Sequence, residues 1–215
     1  MYVHPKLNNH FKRFKHYKDN YNYKPKNILD IGALDGRWSR SMRSIFKDSN
    51  FLMIEPNHEM ENFLINTNID YIITALSNKI KKTVYYKLPG HSGNGLYQEN
   101  TDNKPRAIED VETDTLENLF DQNMKFDIIK LDVQGSEIDI LEGGINLMKK
   151  SDLILTECQI IEYNIGAPFL HDQINFFKKN SFTLVDVVDL MYDKNGKLIQ
   201  IDALFKNDNF NFNQK

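Results

Sequence analysis

Asn27-Ile28-Leu29-Asp30-Ile31-Gly32-Ala33-Leu34-Asp35-Gly36-Arg37-Trp38 decides the reading of this chain. An apolar run, Ile28 to Ile31, leads into a loop with glycines at 32 and 36. Trp38, Met42, Ile45 and Phe46 then recur at helical spacing. Strand, glycine turn and helix in succession form the opening unit of a nucleotide-binding α/β sheet. Glycine lets the backbone turn sharply and lets a ligand come close to it.

The details of the loop choose between cofactors. A dinucleotide loop reads G-x-G-x-x-G and receives a pyrophosphate at a helix N-terminus. This one reads D-x-G-x-x-x-G and lacks the middle glycine. Asp30 and Asp35 also place negative charge beside any phosphate, and like charges a few ångströms apart repel. S-adenosylmethionine suits the loop better, because it carries an ammonium and a sulfonium and no phosphate. A nucleotide-dependent oxidoreductase is correspondingly disfavoured.

Further apolar runs end in polar residues. Phe51 to Ile54 stops at Glu55-Pro56-Asn57, about 20 residues after the glycine loop, where an acid hydrogen-bonds ribose hydroxyls. Pro56 and Asn57 also read as a helix start, which gives Glu55 a second, purely local explanation. Tyr71 to Leu76 stops at Ser77-Asn78. Phe126 to Leu131 stops at Asp132-Val133-Gln134-Gly135-Ser136-Glu137, and Leu153 to Thr156 stops at Glu157-Cys158-Gln159. Open α/β sheets bind ligands at this C-terminal edge.

Taken together, Asp30-x-Gly32-x-x-x-Gly36, Ile54-Glu55-Pro56-Asn57 and above all Ile129-Lys130-Leu131-Asp132-Val133-Gln134-Gly135-Ser136-Glu137 resemble the FkbM-type methyltransferases. The run Ile138 to Gly143 continues the likeness, which spans Asn27 to about Cys158. The resemblance implies a Rossmann-like class I methyltransferase fold, mostly a parallel sheet, and methyl transfer from S-adenosylmethionine, usually to a hydroxyl oxygen. It implies that Asp30, Gly32, Ala33 and Gly36 cradle the methionine part of the cofactor, that Glu55 with Pro56 holds the ribose, that Leu76 and Ser77 border the adenine, and that Asp132 lies beside the transferring methyl. One departure is visible: Gln134 stands where these proteins commonly carry an acid.

A carboxylate near the acceptor can take the hydroxyl proton as attack proceeds. Asp132 is the first candidate for this catalytic role, Glu157 the second, and Glu137 the third, since an acid in a first helical turn is favourable in any case. His91 and His171 rank below the carboxylates. No dedicated metal-loop spacing is present, so no metal is expected. The acceptor expected from the family is a sugar, a glycan or another small hydroxylated molecule.

Composition sets the bounds. The 215 residues suit one domain, with 40% hydrophobic content. A single cysteine, Cys158, excludes an internal disulfide and reads as a packed thiol. The formal charge of −3 argues against a broad nucleic-acid surface. No apolar run reaches membrane-spanning length and no leader pattern opens the chain, so a soluble cytoplasmic protein is expected.

Residues 1–25 form a basic and aromatic extension, with Phe11, Phe14 and Tyr17 at the spacing of a helix packed on the domain. A rival reading makes this segment a nucleic-acid contact on a non-catalytic binding module. Residues 26–206 form the methyltransferase domain. Within it, 83–112 breaks the strand and helix rhythm: a strand at Thr83 to Leu88 precedes a glycine-rich loop, a candidate substrate loop. Ser136 is expected to cap a helix. The last two strands, Phe182 to Val188 and Leu198 to Phe205, flank an Asn-Gly turn, which makes the last strand antiparallel. The tail 207–215 is expected to fray.

Overall fold

The computed structural model describes residues 5–90, 92–100 and 105–212, with side chains from residue 8 onward. Seven strands form the main sheet: β1 (Asn27–Ile31), β2 (Asn50–Glu55), β3 (Asp70–Ile73), β7 (Ile128–Leu131), β8 (Leu153–Gln159), β9 (Phe182–Tyr192) and β10 (Leu198–Asn207). Their order is β3-β2-β1-β7-β8-β10-β9. β1 pairs in parallel with β2 and β7, and β7 with β8, while β10 runs antiparallel to both β8 and β9. The order reverses direction between β1 and β7. In a doubly wound sheet that switch point opens the crevice in which ligands bind.

Strand alternation explains the two cores. Leu29, Ile31, Ile129, Leu131 and Ile154 point to one face, and Ile28, Met53, Ile128, Leu153 and Leu155 to the other. The first face is covered by α4 (Leu116–Leu119), α5 (Glu137–Glu142), α6 (Ile145–Met148) and α7 (Leu170–Lys179). The second is covered by α1 (Pro5–Tyr21) and α2 (Arg37–Ile45). A 3-10 turn at His58–Met60 and α3 (Glu61–Ile65) follow β2. Helix α2 buries Trp38, Ser39, Met42 and Ile45, one stripe of its surface.

The structure departs from the sequence expectations in four places. The single strand expected over Tyr71 to Leu76 is split: β3 stays in the main sheet, and β4 (Ala75–Leu76) leaves it to join β5 (Lys81–Lys87) and β6 (Ala107–Asp114) in a second sheet ordered β4-β6-β5. The insertion is therefore a small sheet carrying a loop. Ser136 occupies the N-cap of α5 but its side chain makes no capping bond. β9 runs to Tyr192, four residues beyond the expected end. Finally, the tail expected to be free is packed through residue 212: Phe212 stacks on Tyr17 at 5.1 Å and Phe210 packs on Tyr23 at 5.5 Å. Residues 213–215 lie outside the described residues.

In α1, Phe14 and Tyr17 are buried. Arg13 pairs with Asp186 at 2.7 Å, Lys15 with Asp19, and Lys18 donates to the Ile45 carbonyl at 2.7 Å. The helix thus spends Phe14 and Tyr17 on packing, and Arg13, Lys15 and Lys18 on intramolecular partners.

Candidate active site

A cavity opens at the C-terminal ends of β1, β2, β7 and β8. Gly32, Ala33, Leu34, Glu55, Pro56, Leu76, Asp132, Gln134 and Glu157 are among its walls. Three local features shape it. First, Gly32 sits at φ 74 with its amide on the Ile54 carbonyl (2.9 Å), and a Cβ there would lie 2.0 Å from the Asp132 carbonyl oxygen. Only glycine allows the first and fourth parallel strands to release their loops this close together. Second, Glu55 ends β2 and accepts from the Leu34 amide (2.8 Å) and the Asn57 amide (2.9 Å). Burial pushes its carboxyl up to about 7 against the pull of these two amides. Third, the Asp132–Ser136 loop turns through left-handed backbone at Gln134 (φ 55) and Gly135 (φ 103).

At the β7–β8 end the acids are tied by side-chain amides. Gln134 Nε2 donates to Asp132 Oδ1 at 3.2 Å and to Glu157 Oε1 at 3.1 Å, and Gln200 Nε2 adds a second bond to Glu157 Oε1 at 2.8 Å. Asp132 keeps a side chain 30% exposed, with Lys130 Nζ 3.9 Å from its Oδ2. Lys130 itself is buried, pairs with Asp30 at 3.0 Å and donates to the Gly32 carbonyl at 2.8 Å. A lysine inside the apolar run Ile128 to Leu131 was the sequence signal for such a buried pair.

Several expected site residues stand elsewhere. Asp30 is fully buried, accepts from Ser39 Oγ at 2.7 Å and does not line the cavity. Its side chain faces α2, opposite to its neighbours Leu29 and Ile31, because successive residues of a strand alternate between faces. Gly36 (φ 72) packs against Thr67, Met53 and Leu64, and Ser77 is buried beside Gly143, so neither meets the cavity. Glu137 is buried away from the cavity and accepts from the Val133 and Gly135 amides at 3.3 Å each. Burial pushes its carboxyl up to about 7. It braces the loop that carries Asp132. Cys158 is buried, and desolvation raises its thiol. His171 is exposed beside Asp172, and His91 lies outside the described residues.

The sequence reading missed the roof and the far wall. The insertion loop is tied to the segment after β8 by the Asn100 amide on the Tyr163 carbonyl (2.6 Å) and the Ile165 amide on the Gln98 carbonyl (2.9 Å). Beneath these ties, Tyr163 donates its hydroxyl to Glu99, and both line the cavity. His10, from α1, also lines it: its Nδ1 accepts from Trp38 Nε1 at 3.1 Å, and its Nε2 meets Asp202 Oδ2 at 2.7 Å. An indole can only donate, so Nδ1 is the bare nitrogen and Nε2 carries the proton. His10, Asp189 and Asp202 bring ligand atoms within 4.8 Å of one another. A cation on Nε2 would require the proton on Nδ1, against the indole N–H. No short-range pattern linked residues 10, 38 and 202.

The walls fit an adenosyl cofactor on two observations. Ser136 Oγ is buried at the cavity wall without a hydrogen-bond partner among the described residues, a polar atom that a ligand would satisfy. Ile31, Ile54, Ala75, Leu76 and Ile140 supply an apolar stretch suited to a purine face.

Comparison with known proteins agrees with this geometry. A family model described as the methyltransferase FkbM domain matches residues 30–184. No curated protein matches the chain. Among solved structures, an S-adenosylmethionine-dependent methyltransferase from Clostridium acetobutylicum aligns with a TM-score of 0.52 at 12% identity, covering 95% of this chain and 92% of that one. The N-methyltransferase NodS from Bradyrhizobium japonicum, solved with S-adenosyl-L-homocysteine, aligns at 0.54 with 11% identity, covering 94% and 88%. At such identities the structures speak for the fold, a Rossmann-like class I methyltransferase sheet. The family match covers most of the chain, so this protein belongs to the FkbM methyltransferase family.

Proposed function

We propose that the protein is an O-methyltransferase acting on a hydroxyl of a sugar, a glycan or a similar small polyhydroxylated acceptor. The observation that carries this reading is the placement of Asp132. It is the partly exposed acid of the cavity whose backbone carbonyl packs against Gly32, with its side-chain Oδ1 held by Gln134 and Oδ2 near Lys130.

Gly32 and Ala33 would flank the methionine part, Glu55 would accept from the ribose hydroxyls, and Leu76 with Ser136 would border the adenine. Bound S-adenosylmethionine supplies a methyl group already activated on a sulfonium sulfur. Asp132 would take the acceptor's hydroxyl proton as that oxygen attacks the methyl, and the cofactor would supply the thioether as leaving group. The roof of Glu99 and Tyr163 keeps water out and fixes the acceptor, and orientation of this kind can supply roughly 7–11 kcal/mol. Glu157, its Oε1 held by two amides, orients the site rather than moving a proton.

The wall disfavours a polyanionic acceptor. Glu99, Asp132 and Glu157 face the cavity, while its cations Arg37 and Lys130 are paired with Asp35 and Asp30. A phosphate-rich strand would meet repulsion there. The test is methyl transfer from isotopically labelled S-adenosylmethionine to panels of saccharides, amines and RNA, read by mass. Labelled ether products that vanish with Asp132→Asn are expected. Label found on nitrogen or on RNA alone would overturn the reading.

A further inference from the structure

Gln134 is costly where it stands. Its backbone is left-handed (φ 55), a conformation that glycine adopts without penalty and a branched or long side chain does not. If the turn alone mattered, glycine would serve better. The side chain, 8% exposed at the cavity wall, is therefore the reason for the residue.

That side chain lies between two acids, 3.2 Å from Asp132 Oδ1 and 3.1 Å from Glu157 Oε1. An amide nitrogen carries two N–H donors and no acceptor, so it can serve both carboxylates at once. Turning the amide over would set its oxygen against both acids, so chemistry fixes its orientation. Two carboxylates that accept from one amide nitrogen repel each other, and without that donor the ionised form of one of them is disfavoured. A base that already holds a proton cannot take another from the acceptor.

We propose that Gln134 is a positioning residue that keeps Asp132 and Glu157 both ionised at the point of methyl transfer. The proposal rests on Asp132 being the base. Gln134 touches neither cofactor nor acceptor in this role and acts through the two acids. Gln200, donating to Glu157 at 2.8 Å, supports the same state from β10.

The test uses the whole protein and two cofactor analogues, with calorimetric titration between about pH 5.5 and 8.5. S-adenosylhomocysteine is neutral at sulfur. Sinefungin carries an amine-bearing carbon in place of the methyl sulfonium, so its positive charge reads the charge of Asp132 and Glu157. The ratio of the two affinities cancels effects on ribose and adenine. The buried Glu137 carboxyl, pushed up to about 7, falls in the same range in wild type and variants alike, so each variant's ratio is read against the wild type's at the same pH. In Gln134→Leu the two acids lose their common donor and one of them takes up a proton more readily, so the sinefungin preference should fall about ten-fold relative to the wild type at the acid end and recover at the alkaline end. Gln134→Glu, which keeps length and polarity should the leucine variant not fold, should show the same pH dependence. A folded variant whose ratio follows the wild type's at every pH would overturn the proposal. Failure of the wild type to bind S-adenosylhomocysteine at all would instead strike the cofactor assignment, a separate result.

Discussion

The two ends of the cavity hold their carboxylates in different ways. At the β1–β2 end, Glu55 is tied to the backbone amides of Leu34 and Asn57, and Asp30 lies under α2 with Ser39 and Lys130. At the β7–β8 end, Asp132 and Glu157 are tied to the side-chain amides of Gln134 and Gln200. Backbone donors fix the path of a loop, so the first end is a mould for a ligand of constant shape. Side-chain donors hold Asp132 by one oxygen and leave its side chain 30% exposed, which suits the acid proposed to act. Glu137 shows the contrast within five residues of Asp132: the same acid chemistry, but buried on loop amides, becomes a brace.

The sharpest break in that contrast is Asp132→Asn. Turnover should fall by about 10²–10⁴-fold with S-adenosylhomocysteine affinity nearly unchanged, measured by methyl transfer and calorimetry. Affinity falling in step with turnover would move Asp132 to the cofactor end. Next comes Gly32→Ala, which faces both a φ of 74 and the Asp132 carbonyl at 2.0 Å. A loss of about 2–4 kcal/mol in denaturant unfolding is expected, because strain and overpacking add.

Glu55→Gln comes third and should weaken S-adenosylhomocysteine binding about ten-fold, the scale of a hydrogen bond to a charged acceptor. The pH dependence has a definite sign. Ribose hydroxyls donate, so they favour the ionised carboxyl, and that carboxyl titrates at about 7 in the free protein. Wild-type affinity should therefore rise as pH climbs through 7, and the variant should lose this dependence. The smallest effect belongs to Glu137→Gln, whose turnover should match the wild type. Its signature is in stability. With the folded carboxyl at about 7 and an ordinary value of 4.5, the native state holds more protons between those limits. The contribution of Glu137 to stability therefore declines as pH rises from 4.5 to 7 and is constant above. The variant should unfold with a shallower pH slope over that window.

Periodicity and punctuation in the chain determined the parallel strands, the glycine turn, the antiparallel end and the acids at the rim, because those features depend on neighbours within a few residues. Other features depended on distant partners. Asp30 reads the same in sequence whether it faces a ligand or a lysine 100 residues away, and only the register of β1 with β7 set it against Lys130. The departure of β4 from the main sheet follows its pairing with β6, which no local pattern carries. His10, Trp38 and Asp202 come from three separate segments, and Phe212 is held by rings from α1. Local pattern sets which residues reach the sheet edge; the long-range packing of helices and the closing strands sets which of them turn inward, and with which partners.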